Sequence, residues 1–368
     1  MKRKLGIYIH IPFCVRKCRY CGFYSKSCVD DGEHRKYVKT LIDDIESKGS
    51  ELSGKYSVDT IFIGGGTPSV MDGPLTGEIV RALRRSFDVE DDAEITIETN
   101  PKTLDEEKLM EYREAGINRL SIGCQSLDDE VLGTLGRIHS ADDFRETYAL
   151  ARRMGFDNIN IDLMFAVPGH TMEKWDETLT EAIALRPEHI SFYSLQIEEG
   201  TPFYDMFKKG EIEQVPDEID RQMYHHAIAR FREAGYEHYE ISNCALPGRQ
   251  CRHNLKYWSM EEYLGLGDSA SSFIGGVRYA NHPLREYHKN NFRDDTTEFV
   301  WTGLRKIVGV SFDEFRKRFG LEFWMVFEDC REELQEFFDS GRLIEENGRL
   351  RLSEEGMDVS NQIMSVFV

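Results

Sequence analysis

Cys14, Cys18 and Cys21 stand at C-x3-C-x2-C spacing directly after an apolar run, Leu5-Gly6-Ile7-Tyr8-Ile9-His10-Ile11. Three thiolates on one short loop can hold a metal centre and leave one coordination position open. A catalytic centre needs that open position and a structural one avoids it. Arg16, Lys17 and Arg19 are interleaved with the cysteines, and nearby cations lower thiol pKa and balance thiolate charge. Pro12-Phe13 ends the run, so the chain must turn there and can bring three sulfurs to one centre. The competing reading is a zinc knuckle completed by a distant ligand such as Cys28 or His10. Zinc loops usually show two paired C-x2-C elements, and this loop has one.

Gly64-Gly65-Gly66-Thr67-Pro68 follows a second strand-like run, Thr60-Ile61-Phe62-Ile63. Consecutive glycines let the backbone approach a ligand closely and expose amides and carbonyls. Neither the G-x-G-x-x-G nor the Walker pattern is present, so a nucleotide phosphate is not implied, and a tight turn alone would also explain the segment. Further polar residues fall at the ends of later apolar runs: Glu98 with Asn100, Gln125 and Asp162. A carboxylate there suits a ribose diol or an amine, and the Arg137 fork suits a ligand carboxylate. Singly these are ordinary structural hydrogen-bonders; together they would line one mouth. His253, Tyr257 and Trp258 form a separate group, in which a neutral imidazole can ligate iron and two aromatics offer flat apolar surface. The plainer alternative is a hydrogen-bonded histidine with two aromatics packed in the core.

The elements that must position these residues alternate. Strands are expected at Gly6–Ile11, Thr60–Ile63, Glu94–Glu98, Arg119–Ile122, Asn158–Asp162 and His189–Ser194. Helices are expected at Glu33–Lys48, Pro74–Arg85, Asp105–Ala115, Ala141–Met154 and Met172–Leu185. Alternation of this kind marks a parallel sheet whose strand ends carry the site. Six units are too few to close an eight-fold barrel, so the expected fold class is α/β: a partial (β/α)6 TIM-like barrel. Pro216–Glu233 reads as a further helix and Gly235–Arg252 as strand or polar loop. From about Thr296 short helices and a hairpin turning at Asn347-Gly348 suggest a small helical, winged-helix-like domain. The expected division is a core over 1–235, a connecting segment over 236–295 and a C-terminal domain over 296–368.

Composition narrows the function class. A formal charge of −20 over 368 residues opposes a nucleic-acid partner, because the whole field would repel a phosphate backbone. No apolar run reaches membrane-spanning length and the first residues lack a signal-peptide pattern, so a cytoplasmic location without an integral membrane segment is expected. Of the eight cysteines, four cluster between 14 and 28. Cys124, Cys244, Cys251 and Cys330 are scattered, as small buried hydrophobes in a reducing compartment would be.

The cysteine loop after Tyr8-Ile9-His10-Ile11-Pro12 resembles that of the radical S-adenosylmethionine (SAM) superfamily. Gly64–Pro68, Ile97–Pro101, Arg119–Gln125, Gly136–Ser140 and Asn160–Pro168 are similar to motifs of its oxygen-independent coproporphyrinogen III oxidase-like branch, across nearly the whole chain. The resemblance implies a [4Fe–4S] cluster on Cys14, Cys18 and Cys21, with the SAM amino and carboxylate groups on the fourth iron. Reduction would split SAM into methionine and a 5′-deoxyadenosyl radical. It further implies that Tyr8, Tyr20, Gly65, Gly66, Thr67, Glu98, Gln125, Arg137 and Asp162 contact one SAM or two, and that Tyr20 and Phe23 pack at the cluster.

Within that branch the dehydrogenases usually carry C-x3-C-x2-C-x-C, a longer N-terminal arm and a longer C-terminal domain. Here Phe23 takes the fourth cysteine's place. Together with His253-Asn254-Leu255-Lys256-Tyr257-Trp258, an H-N-x-x-Y-W motif, this resembles the haem-binding chaperones of the branch. Those features imply haem as cargo, held at His253, Tyr257 and Trp258. They also imply haem-accepting partner proteins and an electron donor such as flavodoxin or ferredoxin. The alternatives are oxidative decarboxylation of coproporphyrinogen III, and radical chemistry on another tetrapyrrole such as haem ring opening. Two positions depart from the pattern: Gly22, where aspartate is usual, and Ser271, where histidine is usual.

Overall fold

The computed structural model describes residues 2–27 and 30–368; Cys28, the distant ligand considered for a zinc knuckle, lies outside them. Six parallel strands form the core: β1 (Arg3–Ile11), β2 (Tyr56–Gly65), β3 (Val89–Thr99), β4 (Arg119–Gln125), β5 (Ile159–Phe165) and β6 (His189–Ser194). All six expected strands are present, most of them longer than the apolar runs suggested. The crossovers carry α1 (Asp31–Leu52), α2 (Gly73–Ser86), α3 (Glu106–Ala115), α4 (Asp129–Leu135), α5 (Ala141–Arg153) and α6 (Met172–Ala184). They are followed by α7 (Pro202–Lys208) and α8 (Asp217–Glu233). Helix starts follow capping chemistry: Asp30, Asp105, Ser140 and Thr171 each accept a backbone N–H of the first turn.

A parallel sheet covered on both faces normally reads as continuous apolar sequence. These strands alternate instead. Ile7, Ile9, Ile61, Ile63, Ile95, Ile97, Leu120, Ile122, Ile161 and Ile190 are fully buried beneath the helices. Their neighbours Tyr8, Phe62, Glu98, Arg119, Asp162 and Ser191 line one shared cavity. A sheet whose six strands all reach one cavity must curve around it, as in a barrel that stops short of closure.

Residues 236–295 do more than connect. β7 (Glu237–Glu240) and β8 (Asn243–Ala245) extend the β6 edge as antiparallel strands. The chain then crosses the lumen as α9 (Arg252–Trp258) and joins the opposite edge. There β9 (Tyr263–Leu266) pairs parallel with β1, followed by β10 (Ser271–Ile274), β11 (Val277–Ala280) and β12 (Tyr287–Lys289). The order across the twelve-stranded sheet is β12-β11-β10-β9-β1-β2-β3-β4-β5-β6-β8-β7.

The tail comprises α10 (Phe292–Gly303), β13 (Val310–Ser311), α11 (Phe312–Phe319), α12 (Phe323–Val326) and α13 (Arg331–Asp339). It continues with β14 (Leu343–Glu346), β15 (Arg349–Leu352), α14 (Glu354–Asp358) and α15 (Ser360–Ser365). Its hairpin turns at Asn347-Gly348, both at positive φ, as a tight two-residue turn requires. Buried Phe315, Phe323, Phe327 and Phe367 join its core to that of the sheet. No helix among the described residues is long and apolar enough to cross a membrane.

Candidate functional site

The cysteine loop leaves β1 at Ile11 and is held at once by the glycine segment after β2. Gly66 N–H donates to Ile11 O at 2.8 Å and Thr67 N–H to Phe13 O at 2.7 Å. A Cβ on Gly66 would lie 2.5 Å from Phe13 O, so the close approach that this glycine permits is to the cysteine loop itself. Gly65, at φ +114°, donates its N–H to Glu98 Oε2 at 3.0 Å. The amides of 65–67 are therefore used internally, to hold the cysteine loop and Glu98.

Cys14, Cys18 and Cys21 are half-buried free thiols. Two of them receive side-chain donors. Thr67 Oγ1 lies 3.6 Å from Cys14 Sγ, and Arg137 NH1 lies 3.5 Å from Cys18 Sγ. Asn100 links the donors: its Nδ2 donates to Thr67 Oγ1 at 2.9 Å, and its Oδ1 accepts from Arg137 NH2. Because Thr67 already accepts from Asn100, its single proton is free to point at sulfur. Arg137 NH2 also donates to Gly123 O at 2.8 Å. Arg16 and Arg19, expected to neighbour the sulfurs, instead cap the end of α4 through Gly136 O and Thr134 O.

This donor set fits a [4Fe–4S] group. Each thiolate of such a cluster takes its own iron, so the sulfurs need a shared loop and hydrogen-bond donors rather than one convergence point. Among the described residues no three His, Cys, Asp or Glu side chains converge as a single-ion site would require. His10, the other zinc-knuckle candidate, is committed to Tyr8 Oη at 3.1 Å and Tyr24 O at 3.0 Å.

Below the loop lies a cavity of about 570 Å³. Of the expected site residues it is lined by Tyr8, Tyr20, Cys21, Glu98, Asp162, His253, Tyr257 and Trp258. Gly65, Gly66, Thr67 and Arg137 sit around the cysteine loop above it. Gln125, at φ +68°, stands behind and accepts from Tyr193 Oη at 3.0 Å. Burial and the nearby Asp162 push the Glu98 carboxyl up to about 8, and burial raises Asp162 as well. Asp162 accepts from Asn160 Nδ2 at 2.8 Å and from Ser121 Oγ at 3.3 Å.

His253 is held on all sides by the lumen. Its Nδ1 is 2.9 Å from Thr60 Oγ1, its Nε2 is 2.8 Å from Tyr257 Oη, and its ring stacks on Phe62. Burial, with Lys256 and Arg119 nearby, lowers its pKa to about 3, so the imidazole is neutral. Glu94 accepts the first N–H groups of α9, from Arg252 and His253, each at 3.1 Å. Lys256 pairs with Asp59 at 2.9 Å and Glu261 at 2.8 Å. Gly6 leaves room for the helix, because a Cβ there would meet Lys256, Thr60 and His253 between 3.0 and 3.3 Å.

A second cavity of about 640 Å³ shares Tyr8, Gly22, Phe23, Tyr257 and Trp258 with the first. It extends to Ser271 and Arg278, and to Glu298 and Thr302 of α10. Phe23, expected to pack at the cluster, is 69% exposed at this mouth. Sequence reasoning missed Arg119 and Glu94, and named Asn100 among the polar strand-end residues without its link to Thr67 and Arg137. Their signal was a polar residue at every second position of otherwise apolar strands.

Comparison with known proteins agrees with this geometry. A radical SAM superfamily model matches residues 8–182, and a HemN C-terminal domain model matches residues 293–359. The heme chaperone HemW of Bacillus subtilis is 34% identical over 98% of both chains. That of Escherichia coli is 39% identical over 72% of this chain and 69% of its own. The coproporphyrinogen III oxidase HemN of Escherichia coli superposes with a TM-score of 0.87 at 22% identity, over 100% of this chain and 90% of its own, which establishes a shared fold. The chain therefore belongs to the radical SAM superfamily, in the family of proteins named heme chaperone HemW.

Proposed function

We propose that this protein is a haem chaperone that binds a [4Fe–4S] cluster, SAM and haem and passes haem to acceptor proteins. The observation that carries the reading is the full-length similarity to a heme chaperone, at 34% identity over 98% of both chains. Two cavities meeting at Tyr8, Gly22, Phe23, Tyr257 and Trp258 support it, because they give a flat macrocycle aromatic surface beside the SAM region.

Cys14, Cys18 and Cys21 would hold the cluster, which when reduced supplies an electron to the sulfonium of SAM. Thr67 and Arg137 place protons against Cys14 and Cys18 and lower the electron density on sulfur. Glu98, held largely protonated near neutrality, offers a neutral carboxyl to the ligand, and Tyr8, Tyr20 and Asp162 shape the cavity around it. His253 is a neutral imidazole with both nitrogens hydrogen-bonded. As an iron ligand His253 would have to give up the Tyr257 hydroxyl at Nε2, while Thr60 still held Nδ1. In this reading the location is cytoplasmic, with a flavodoxin or ferredoxin as electron donor.

The test is anaerobic titration of the reconstituted protein with haem, followed by addition of an apo-haem acceptor. Saturable binding and transfer of intact haem are expected. Failure to bind haem overturns the reading.

A further inference from the structure

Arg119 lies at the start of β4 and is 2% exposed. It shares a register row with Thr96 and Phe62, and Phe62 stacks on His253, so the guanidinium enters the lumen at the level of α9. Its Nε has no hydrogen-bond partner, and among the described residues its side chain makes no hydrogen bond or ion pair. Glu94, Asp162 and Glu98 act on it only through the field. Neighbouring acids offset the buried charge through the field, but the donors of the fork have no acceptor, and buried donors are rarely kept unless something pairs with them. Arg119 lines the 570 Å³ cavity. So does Trp258, whose Nε1 is a second buried donor without an acceptor.

We propose that the lumen is a carboxylate-binding site in which Arg119 anchors the acid group of the bound ligand. A carboxylate matches the planar fork in shape and charge, and it supplies acceptors where the cavity wall has spare donors. Two acids could fill the role: a haem propionate, or the carboxylate of a second SAM that is not bound to the cluster. The propionate assignment rests on the haem-chaperone reading; the carboxylate site does not.

The experiment measures binding of haem, haem dimethyl ester, SAM and decarboxylated SAM to the reconstituted wild type and to Arg119→Met. Loss of a charged hydrogen-bond pair should weaken the acid-bearing ligand about tenfold or more and leave its acid-free analogue unchanged. Loss of haem but not ester affinity identifies a propionate. Loss of SAM but not decarboxylated SAM affinity identifies the SAM carboxylate. Unchanged affinities for all four ligands overturn the proposal. A wild type that binds no haem defeats the chaperone reading, and the SAM pair then decides the site alone. Should Arg119→Met fail to fold, Arg119→Lys keeps the charge without the fork: partial, acid-dependent weakening supports the site and equal affinities refute it.

Discussion

Arg137 touches the sulfur of Cys18 with one terminal nitrogen, at 3.5 Å, while Asn100 and Gly123 hold the other. Through Asn100 the same guanidinium is linked to Thr67 and hence to Cys14. Two of the three cluster cysteines thus share one hydrogen-bond chain, built from residues that follow β2, β3 and α4.

Asn100→Leu breaks that chain without touching a cysteine. Donors at sulfur stabilise the reduced cluster, so the variant's reduction potential should be more negative than that of the wild type. Loss of buried hydrogen bonds should also cost about 1–3 kcal/mol of stability. Potentiometry followed by electron paramagnetic resonance reads the first effect; an unchanged potential would detach Asn100 from the cluster.

His253→Ala should weaken haem binding roughly tenfold while leaving the cluster absorbance intact, because the side chain's partners are Thr60, Tyr257 and Phe62 and not the cysteine loop. Tyr257→Phe frees Nε2 of His253 from its 2.8 Å partner and should bind haem at least as tightly as wild type. Equal haem affinity in His253→Ala would remove that residue from the haem site.

Glu98 gives a pH signature in the metal-free protein. Its folded-state pKa, about 8, lies above the unfolded value near 4.5, so between those values the native state holds a proton that the unfolded state has lost. Stability from this group is therefore full below pH 4.5 and declines as pH rises towards 8, by at most about 1.4 kcal/mol per pH unit. Glu98→Gln should flatten that slope. Urea unfolding at pH 5.5 and 7.5 checks it, and parallel slopes in both proteins would contradict it.

Gly6→Val should push α9 out of the lumen. The new side chain meets Lys256, Thr60 and His253, and overpacking of this kind costs about 1–3 kcal/mol. Thermal unfolding should show that loss, whereas Gly54→Val, with nothing within 4 Å of its Cβ, should show little.

The strands and crossover helices were legible because their isoleucines recur where a covered sheet needs them, and the cysteine loop because its spacing is unusual. Residues 236–295 were not. β7 to β12 are short, polar and stabilised by edges that distant residues provide, so their pattern carries little local signal. Expectation had Arg16 and Arg19 beside the sulfurs; they serve α4, a seven-residue helix whose position no local periodicity announces. Arg137 became a neighbour of Cys18 across 119 residues, and only the fold could reveal that.

The central claim is haem handling rather than porphyrinogen oxidation. Its most direct test is anaerobic incubation of the reconstituted protein with reductant and SAM, offered haem and coproporphyrinogen III side by side, with product analysis. The account predicts haem bound and recovered intact, and coproporphyrinogen unchanged. Formation of protoporphyrinogen would contradict it.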